Sequence, residues 1–266
     1  MITSRVNSQL KQIVRLLKKR SDRAEEGLFV IEGRKMFFEV LSQAPELLTK
    51  AYWAQSALAA LSAEERAAAE ACPHEEVADD VFDSVAETVT PQGVIALVKM
   101  RGQTPEQIAE GGRRLLLLET LQDPGNLGTI LRTAEAAGFG VILSADSADT
   151  YAPKVVRATM GAIFRVPFAY AEHFPETLEK LKERGYTLYA AHLQGSVPYD
   201  EPDYTGPVGI MIGNEGNGLS DEVTAIADKR VRIPMEGEAE SLNAAVAAAV
   251  LMYEVKRHRQ YQSGAP

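Results

Sequence analysis

The chain has 266 residues, 45% of them hydrophobic, which is enough to bury one large core or two ordinary cores without disulfide bonds. Its formal net charge of −9 argues against a protein that coats nucleic acid with its whole surface. With no apolar signal core and no run of about 18 apolar residues, we expect a cytoplasmic protein without a membrane partner. The single Cys72 and four scattered histidines predict neither an internal disulfide bond nor a metal site.

The first 24 residues depart from the acidic average, with seven basic residues and one acidic residue. Apolar residues at helical spacing predict an amphipathic helix whose apolar face is Val6, Leu10, Ile13, Val14 and Leu17. Its basic side chains are either a solvated surface or a contact for RNA phosphates, and both interpretations stay open. The candidate RNA contacts are Arg5, Lys11, Arg15, Lys18 and Arg34.

Short apolar runs predict a small α/β domain over residues 1–107. Strands are expected at 27–33, 50–54 and 94–99, and helices at 33–43 and, exposed, at 57–71. The polar stretch 101–106 is typical of a linker, so we place the domain boundary near residue 107.

Residues 108–266 alternate regularly between apolar strands and helical patterns, which predicts a parallel sheet covered by helices, an α/β fold. The expected strands lie near 115–119, 140–144, 163–167, 186–191, 207–213 and 229–234. The expected helices lie near 127–137, 153–160, 175–184, 219–226 and 241–259. The last helix is apolar nearly all round at its start, so we expect it to be buried.

Polar loops at 123–126, 213–218 and 238–243 follow three of these strands, where open parallel sheets bind ligands. The first loop opens a helix that carries Arg132, which looks buried. Each loop alone is more often a turn or a helix cap, and Ser241 is a candidate N-cap for the last helix. Three such loops on one edge of one sheet indicate a ligand site.

Three motifs in this order resemble the SpoU or TrmH class of RNA ribose 2′-O-methyltransferases, within the SPOUT superfamily. They are DPGNLGTILRTAEAAGF (123–139), IGNEGNGLS (212–220) and IPMEGEAESLNAAVAAA (233–249). Residues 1–107 are similar to the family's RNA substrate-binding domain, which resembles a ribosomal protein. The resemblance implies a homodimer and a deep trefoil knot in the second domain. Periodicity could not predict a knot, because knots are nearly absent from proteins.

The resemblance also implies S-adenosylmethionine as cofactor and five catalytic residues. The cofactor would be held around Leu193, Gly195, Ile212, Gly213, Asn214, Gly216, Ile233, Met235 and Leu242. The implied catalytic residues are Asn126, Arg132, Glu215, Ser241 and Asn243. Methyl transfer from a sulfonium to a ribose hydroxyl needs aligned attack and removal of a proton, and no metal.

Arg132 is often described in the family as the base, but an arginine with a pKa of about 12.5 or above is a poor proton acceptor. We favour a phosphate clamp, with the phosphate or a water accepting the proton. The alternative is a surface pair with Glu135 on the same helix. Glu215 is expected to orient Arg132 or another polar group, while Ser241 and Asn243 fix loop and cofactor geometry.

The substrate implied is RNA, with ribosomal RNA preferred over transfer RNA because a separate domain precedes the motifs. A SPOUT base N-methyltransferase is the competing enzyme, although it usually carries an aspartate base and different motifs. A non-catalytic RNA-binding assembly factor is the competing function outside catalysis. The sequence does not identify the methylated nucleotide.

Overall fold

The computed structural model describes residues 1–112 and 114–262, except for the side chains of residues 259–262. These residues divide into two compact units. The first unit holds Met1–Arg101 together with Asp149–Phe164, and the second holds Gly102–Ala148 and the chain from Arg165 onward. A single boundary near residue 107 would have assigned residues 149–164 to the second unit, so this segment is a difference from the expected arrangement.

Strands and helices are numbered here in chain order. The strands are β1 (Leu28–Glu32), β2 (Leu48–Ala54), β3 (His74–Val77), β4 (Val94–Lys99), β5 (Leu115–Leu118), β6 (Gly140–Ser144), β7 (Phe168–Ala171), β8 (Thr187–Ala191), β9 (Val197–Pro198), β10 (Val208–Ile212) and β11 (Lys229–Arg232). The helices are α1 (Ser8–Lys18), α2 (Arg20–Glu26), α3 (Arg34–Gln43), α4 (Gln55–Ala59), α5 (Ala63–Glu70), α6 (Asp79–Phe82), α7 (Pro105–Ile108), α8 (Pro124–Ala137), α9 (Pro153–Ala158), α10 (Phe174–Glu183), α11 (Asp221–Ile226) and α12 (Ala244–Gln262).

The first unit is built on a four-stranded sheet of order β1-β4-β2-β3. Strands β1 and β2 pair antiparallel to β4, whereas β3 runs parallel to β2. The sequence prediction missed β3 because its HEEV stretch is polar and only one of its residues is buried. The expected helix at 57–71 is two helices, since Ser62 starts α5 with a capping box to Glu65.

Helix α1 buries Leu10, Ile13, Leu16 and Leu17, as an amphipathic helix should. Val6 is 71% exposed and does not join this face, because the helix begins only after Asn7, whose side chain caps it. The predicted apolar face was therefore wrong at its first position.

Residues 149–164 pack within the first unit through apolar and ionic contacts. The rings of Tyr151 and Phe29 lie 4.7 Å apart, and the buried guanidinium of Arg23 donates to Asp149 Oδ2 at 3.0 Å. The strand predicted at 163–167 was wrong, since residues 162–164 form a 3-10 turn and the strand is β7. A short apolar run fits a buried turn as well as a strand, so its periodicity could not separate them.

The second unit is built on a seven-stranded sheet of order β7-β6-β5-β10-β8-β11-β9. Every pairing in it is parallel, which confirms the predicted α/β fold. In the sheet, β5 has β6 and then β7 on one side, whereas the later strands β8 to β11 all lie on its other side, beginning with β10. Such a reversal of strand order leaves a crevice at the carboxyl ends of the strands, where ligands bind in sheets of this type.

Helix α12 packs against α8 but is not buried all round, contrary to expectation. Its inner stripe is Ala245, Ala248, Leu251, Met252 and Val255. On its outer side, Val246 is 49% exposed and Tyr253 is 47% exposed. Over residues 1–112 and 114–262, no helix is both long enough and apolar enough to cross a membrane.

Candidate active site

The loop between β5 and α8 is held by side chains that follow the strand ends. Thr120, in the left-handed region at φ 52°, donates its backbone N–H to Ser144 Oγ at 2.8 Å. Asp123 Oδ1 accepts from the backbone N–H of Asn126 at 2.7 Å and so caps α8. With Pro124 at its first position, α8 therefore starts at a fixed place and brings Asn126 to the sheet edge.

The loop after β10 is a tight hairpin closed by two backbone hydrogen bonds between Asn214 and Gly218, of 3.0 and 2.9 Å. Asn214 Oδ1 accepts from the backbone N–H of Gly216 at 2.9 Å, and its Nδ2 donates to the carbonyl of Thr120 at 2.9 Å. Asn214, which the resemblance placed at the cofactor, thus uses its side chain to join the loops after β10 and β5.

Gly213 is required where this hairpin leaves β10. A Cβ on it would lie 2.1 Å from the carbonyl carbon of Gly218, and that backbone atom cannot move aside. We expect Gly213→Ala to lower the free energy of unfolding by about 3 kcal/mol, the upper range for overpacking a dense site. Urea denaturation would measure the loss.

Gly216→Ala is the matched control in the same hairpin. Its Cβ would meet Asn214 Oδ1 at 3.4 Å, an ordinary contact with a side chain. Its stability should therefore stay within about 0.5 kcal/mol of the unvaried chain. Equal losses in the two variants would contradict this account of the turn.

Glu215, at the tip of this hairpin, accepts three hydrogen bonds from the first loop. Its Oε1 accepts from the backbone N–H of Asp123 at 3.0 Å and from Asn126 Nδ2 at 3.1 Å. Its Oε2 accepts from the backbone N–H of Gln122 at 3.2 Å. Partial burial raises the pKa of Glu215, but its hydrogen bonds together, those from Asn126 and the Asp123 amide foremost, outweigh this effect, and the net pKa is lowered. Glu215 is thus an ionised acceptor that positions Asn126.

Asn243 joins the third motif to the first. Its Nδ2 donates to Asn126 Oδ1 at 2.8 Å, while its Oδ1 accepts from the backbone N–H groups of Ala245 and Val246 at 2.9 and 3.3 Å. Asn243 is therefore the N-cap of α12, and the assignment of that role to Ser241 was wrong. Ser241 lies exposed two residues earlier. Glu215, Asn126 and Asn243 together form one hydrogen-bonded chain across the three motifs.

Arg132 lies on α8 six residues after Asn126. Its side chain is exposed, so the expectation of a buried arginine was wrong. Among the described residues it has no hydrogen-bond or ion-pair partner. Glu135, the alternative partner considered from sequence, instead pairs with Arg165 at 2.9 Å. The guanidinium of Arg132 is thus available to a ligand.

The residues expected at the cofactor follow β8, β10 and β11, three neighbouring parallel strands whose carboxyl ends share one edge. Ile212 is buried, while Gly213 leads into the hairpin and Gly216 lies exposed within it. Leu193 is 60% exposed, and Gly195 adopts φ 65° beyond it. Three half-buried apolar side chains complete the edge: Ile233, Met235 and Leu242. Apolar side chains beside loop backbone are the usual lining of a small-molecule site.

The candidate RNA contacts lie on the surface of the first unit. Lys11 and Lys18 are exposed and have no partner among the described residues. Arg15 pairs with Glu26 at 2.9 Å, Arg34 with Glu65 at 2.7 Å, and Arg5 with Asp80 at 3.7 Å. Surface pairs contribute about 0–1 kcal/mol, so a phosphate could replace the carboxylates at low cost.

Two positioning residues escaped the sequence analysis. One is Asp123, which was predicted only as part of a polar loop and not as the cap of α8, although a cap followed by proline is a recognisable start of a helix. The other is Glu119, whose carboxylate accepts from the backbone N–H and the hydroxyl of Ser220 at 2.8 and 2.6 Å. No local pattern marks that contact. Over the part of the chain that the structure describes, no group of three or more metal-ligating side chains is present.

Comparison with known proteins gives two family matches. Residues 113–253 match the SpoU rRNA methylase family, and residues 7–96 match the MRM3-like substrate binding domain. Among solved structures, an rRNA methyltransferase from Sinorhizobium meliloti superposes with a TM-score of 0.85 at 32% identity, over 97% of each chain. The AviRb methyltransferase of Streptomyces viridochromogenes, solved with S-adenosylmethionine, gives 0.83 at 28% identity over 96% of this chain and 100% of its own.

Curated relatives of this chain are named as RNA methyltransferases as well. A 23S rRNA guanosine 2′-O-methyltransferase of Bacillus subtilis is 38% identical over 68% of this chain and 71% of its own length. An uncharacterized tRNA/rRNA methyltransferase of Synechocystis is 35% identical over 100% of this chain and 96% of its own. With the motifs and the parallel sheet, these matches show that the chain belongs to the SpoU rRNA methylase family.

Proposed function

We propose that this chain, an RNA methyltransferase by family, transfers the methyl group of S-adenosylmethionine to a ribose 2′-hydroxyl of ribosomal RNA. The observation that carries the proposal is the hydrogen-bonded chain from Glu215 through Asn126 to Asn243. Helix α8, which carries Asn126, also carries the exposed Arg132, which has no partner among the described residues. Together they supply fixed polar groups and a free cation, the two things that an aligned attack by a nucleotide hydroxyl requires.

Asn126 is the residue that orients the ribose. One hydrogen of its Nδ2 goes to Glu215, and its Oδ1 accepts from Asn243, so the amide orientation is fixed by both partners. An amide has a second hydrogen and a second lone pair, and both stay available for a ribose hydroxyl. Because the amide is held at both ends, it aligns the hydroxyl at little cost in side-chain entropy.

Arg132 binds the phosphate next to the reacting ribose. Its planar guanidinium donates two parallel hydrogen bonds to phosphate oxygens and stabilises negative charge that develops on the attacking oxygen. The proton leaves to the phosphate or to a water, because arginine stays protonated at neutral pH.

The sheet edge fits S-adenosylmethionine. Leu193, Ile233, Met235 and Leu242 leave apolar surface partly open beside loop backbone, which suits an adenine ring and a sulfonium side chain. Ile212 and Gly213 bring the backbone of β10 to the same edge. When bound, the cofactor supplies an electrophilic methyl group on sulfur. The chain's own residues hold the ribose and the phosphate in line with it.

A homodimer and the knot belong to the same proposal. The exposed Val246 and Tyr253 on α12 form an apolar surface that a second copy would cover, with the active sites near the interface. Sedimentation equilibrium would return the mass of two chains, and the mass of one chain would contradict the dimer. The reaction takes place in the cytoplasm, and the first unit binds the RNA that the second unit methylates.

Labelled S-adenosylmethionine tests the substrate class. We expect label to enter unmodified 23S ribosomal RNA transcribed in vitro and not transfer RNA transcripts. Label in transfer RNA alone would establish the transfer RNA alternative. Binding of S-adenosylmethionine without transfer to either RNA, or to assembled ribosomal particles, would favour the assembly factor.

A further inference from the structure

A cleft of about 730 Å³ opens in the first unit, apart from the methyl-transfer residues. It lies between the start of α3, the end of β2 and the chain just before β4. Gln92 Oε1 accepts from the backbone N–H of Arg34 at 2.9 Å, which fixes the Gln92 amide at the rim. Pockets for small molecules usually measure about 300–1,000 Å³, so one nucleotide fits this cleft.

Three polar side chains of the cleft already have partners: Arg34, Ser56 and Asp79. Asp79 accepts from the backbone N–H and the hydroxyl of Ser56 at 3.1 and 2.9 Å, and Arg34 is paired with Glu65. Three groups stay without a partner among the described residues: the ammonium of Lys35, the carboxylate of Asp83 and the NH₂ of Gln92. The cleft therefore offers donors and an acceptor at once, beside apolar lining from Ala57 and Phe82.

This combination fits a nucleobase better than an isolated phosphate. Asp79 and Asp83 would repel an anion inside the cleft, whereas a base edge presents both acceptors and N–H donors. Proteins read RNA mainly at unstacked bases, which they stack and hydrogen-bond in pockets of this kind. We propose that this cleft binds one unstacked nucleotide of the substrate RNA. The base amino or ring N–H faces Asp83, and the nucleotide phosphate lies at Lys35.

This inference rests on the proposed action on RNA, and its test needs no methyl transfer. Ala60 lines the cleft at the end of α4, whereas the neighbouring Ala59 is exposed outside it. We expect Ala60→Trp, which fills the cleft, to weaken binding of an unmodified 23S RNA transcript about tenfold, the usual size of a lost base contact. Ala59→Trp should bind the transcript with the affinity of the unsubstituted protein. Filter binding at one fixed salt concentration measures both.

Removal of one negative charge distinguishes a base from a phosphate as the group bound in the cleft. Asp83→Ala should weaken RNA binding severalfold, because the base loses its acceptor. If the cleft held a phosphate instead, the same change would tighten binding. Glu46→Ala removes an equal charge from an exposed carboxylate of the first unit outside the cleft, away from the candidate RNA contacts, and should leave the affinity almost unchanged.

The results separate this inference from the proposed function. Tight RNA binding that is weakened by Ala60→Trp and Asp83→Ala, without any methyl transfer, would support nucleotide binding in the cleft and contradict the proposed methyltransferase activity. Methyl transfer together with equal RNA affinity in Ala60→Trp and Ala59→Trp would support the proposed methyltransferase activity and contradict nucleotide binding in the cleft. Tighter binding by Asp83→Ala, or no binding of the transcript by the unvaried chain, would also overturn it.

Discussion

Arg132→Lys should lower methyl transfer about a thousandfold while leaving the affinity for S-adenosylmethionine unchanged. Lysine keeps the positive charge but loses the planar fork that holds two phosphate oxygens together. Loss of one preorganised charge-stabilising group typically lowers the rate by about 10²–10³-fold. Folding should not suffer, because the side chain is exposed and has no partner among the described residues. Single-turnover methylation and calorimetric cofactor binding measure the two quantities separately.

Arg165→Lys is the matched control, since this arginine also lies in the second unit but is paired with Glu135. It should methylate RNA almost as the unvaried chain does. Near-normal methylation by Arg132→Lys would contradict the proposed phosphate-binding role of Arg132, because an ammonium group cannot reproduce bidentate binding. An equal loss in both variants would show a general sensitivity to arginine replacement.

Glu215→Gln should lower methyl transfer by about a hundredfold, a smaller loss than at Arg132 because no contact with the RNA is removed. The neutral amide turns an NH₂ group toward the donors of Gln122, Asp123 or Asn126, and one of those hydrogen bonds must break. Even if the amide oxygen keeps facing Asp123 and Asn126, it lacks the charge of the carboxylate, so its hydrogen bond to Asn126 is weaker and the orientation of Asn126 is less firmly fixed. A positioning role predicts that the defect appears in single-turnover rates for bound RNA, with little change in RNA affinity.

Glu238→Gln gives the control, because Glu238 is an exposed carboxylate in the third motif. It should leave the rate unchanged, and equal defects in the two variants would contradict the positioning role of Glu215. Acid offers a second test. Since folding lowers the pKa of Glu215 from its ordinary 4.5, its contribution is complete above that value and is lost as pH falls through the lowered pKa. Urea denaturation below pH 4.5 should therefore show a smaller pH-dependent loss of stability in Glu215→Gln.

Local sequence was sufficient to predict much of the second unit. The four leucines of β5 are fully buried, and the helical spacing of Ile130, Leu131 and Ala134 marks the inner face of α8. Both signals are periodic and depend on neighbours within one element. The convergence of three polar loops followed from parallel strands alone, since their carboxyl ends share an edge.

Details that depend on distant partners could not be predicted in this way. Arg132 was expected to be buried because its helix is largely apolar, yet its side chain is exposed. Glu135, its alternative partner from sequence, pairs instead with Arg165, thirty residues further along the chain. Ser241 and Asn243 are both good N-caps by residue type, and only the start of α12 at Ala244 decides between them. The knot implied by family resemblance stays a prediction.

Nucleoside analysis of RNA methylated by the pure chain tests the central claim most directly. The RNA would be unmodified 23S transcript labelled from S-adenosylmethionine, digested to nucleosides and separated by mass. The account predicts a single 2′-O-methylated nucleoside that disappears in Arg132→Lys. Label on a base would contradict it, because Asn126 and Arg132 are proposed to hold a ribose and its phosphate.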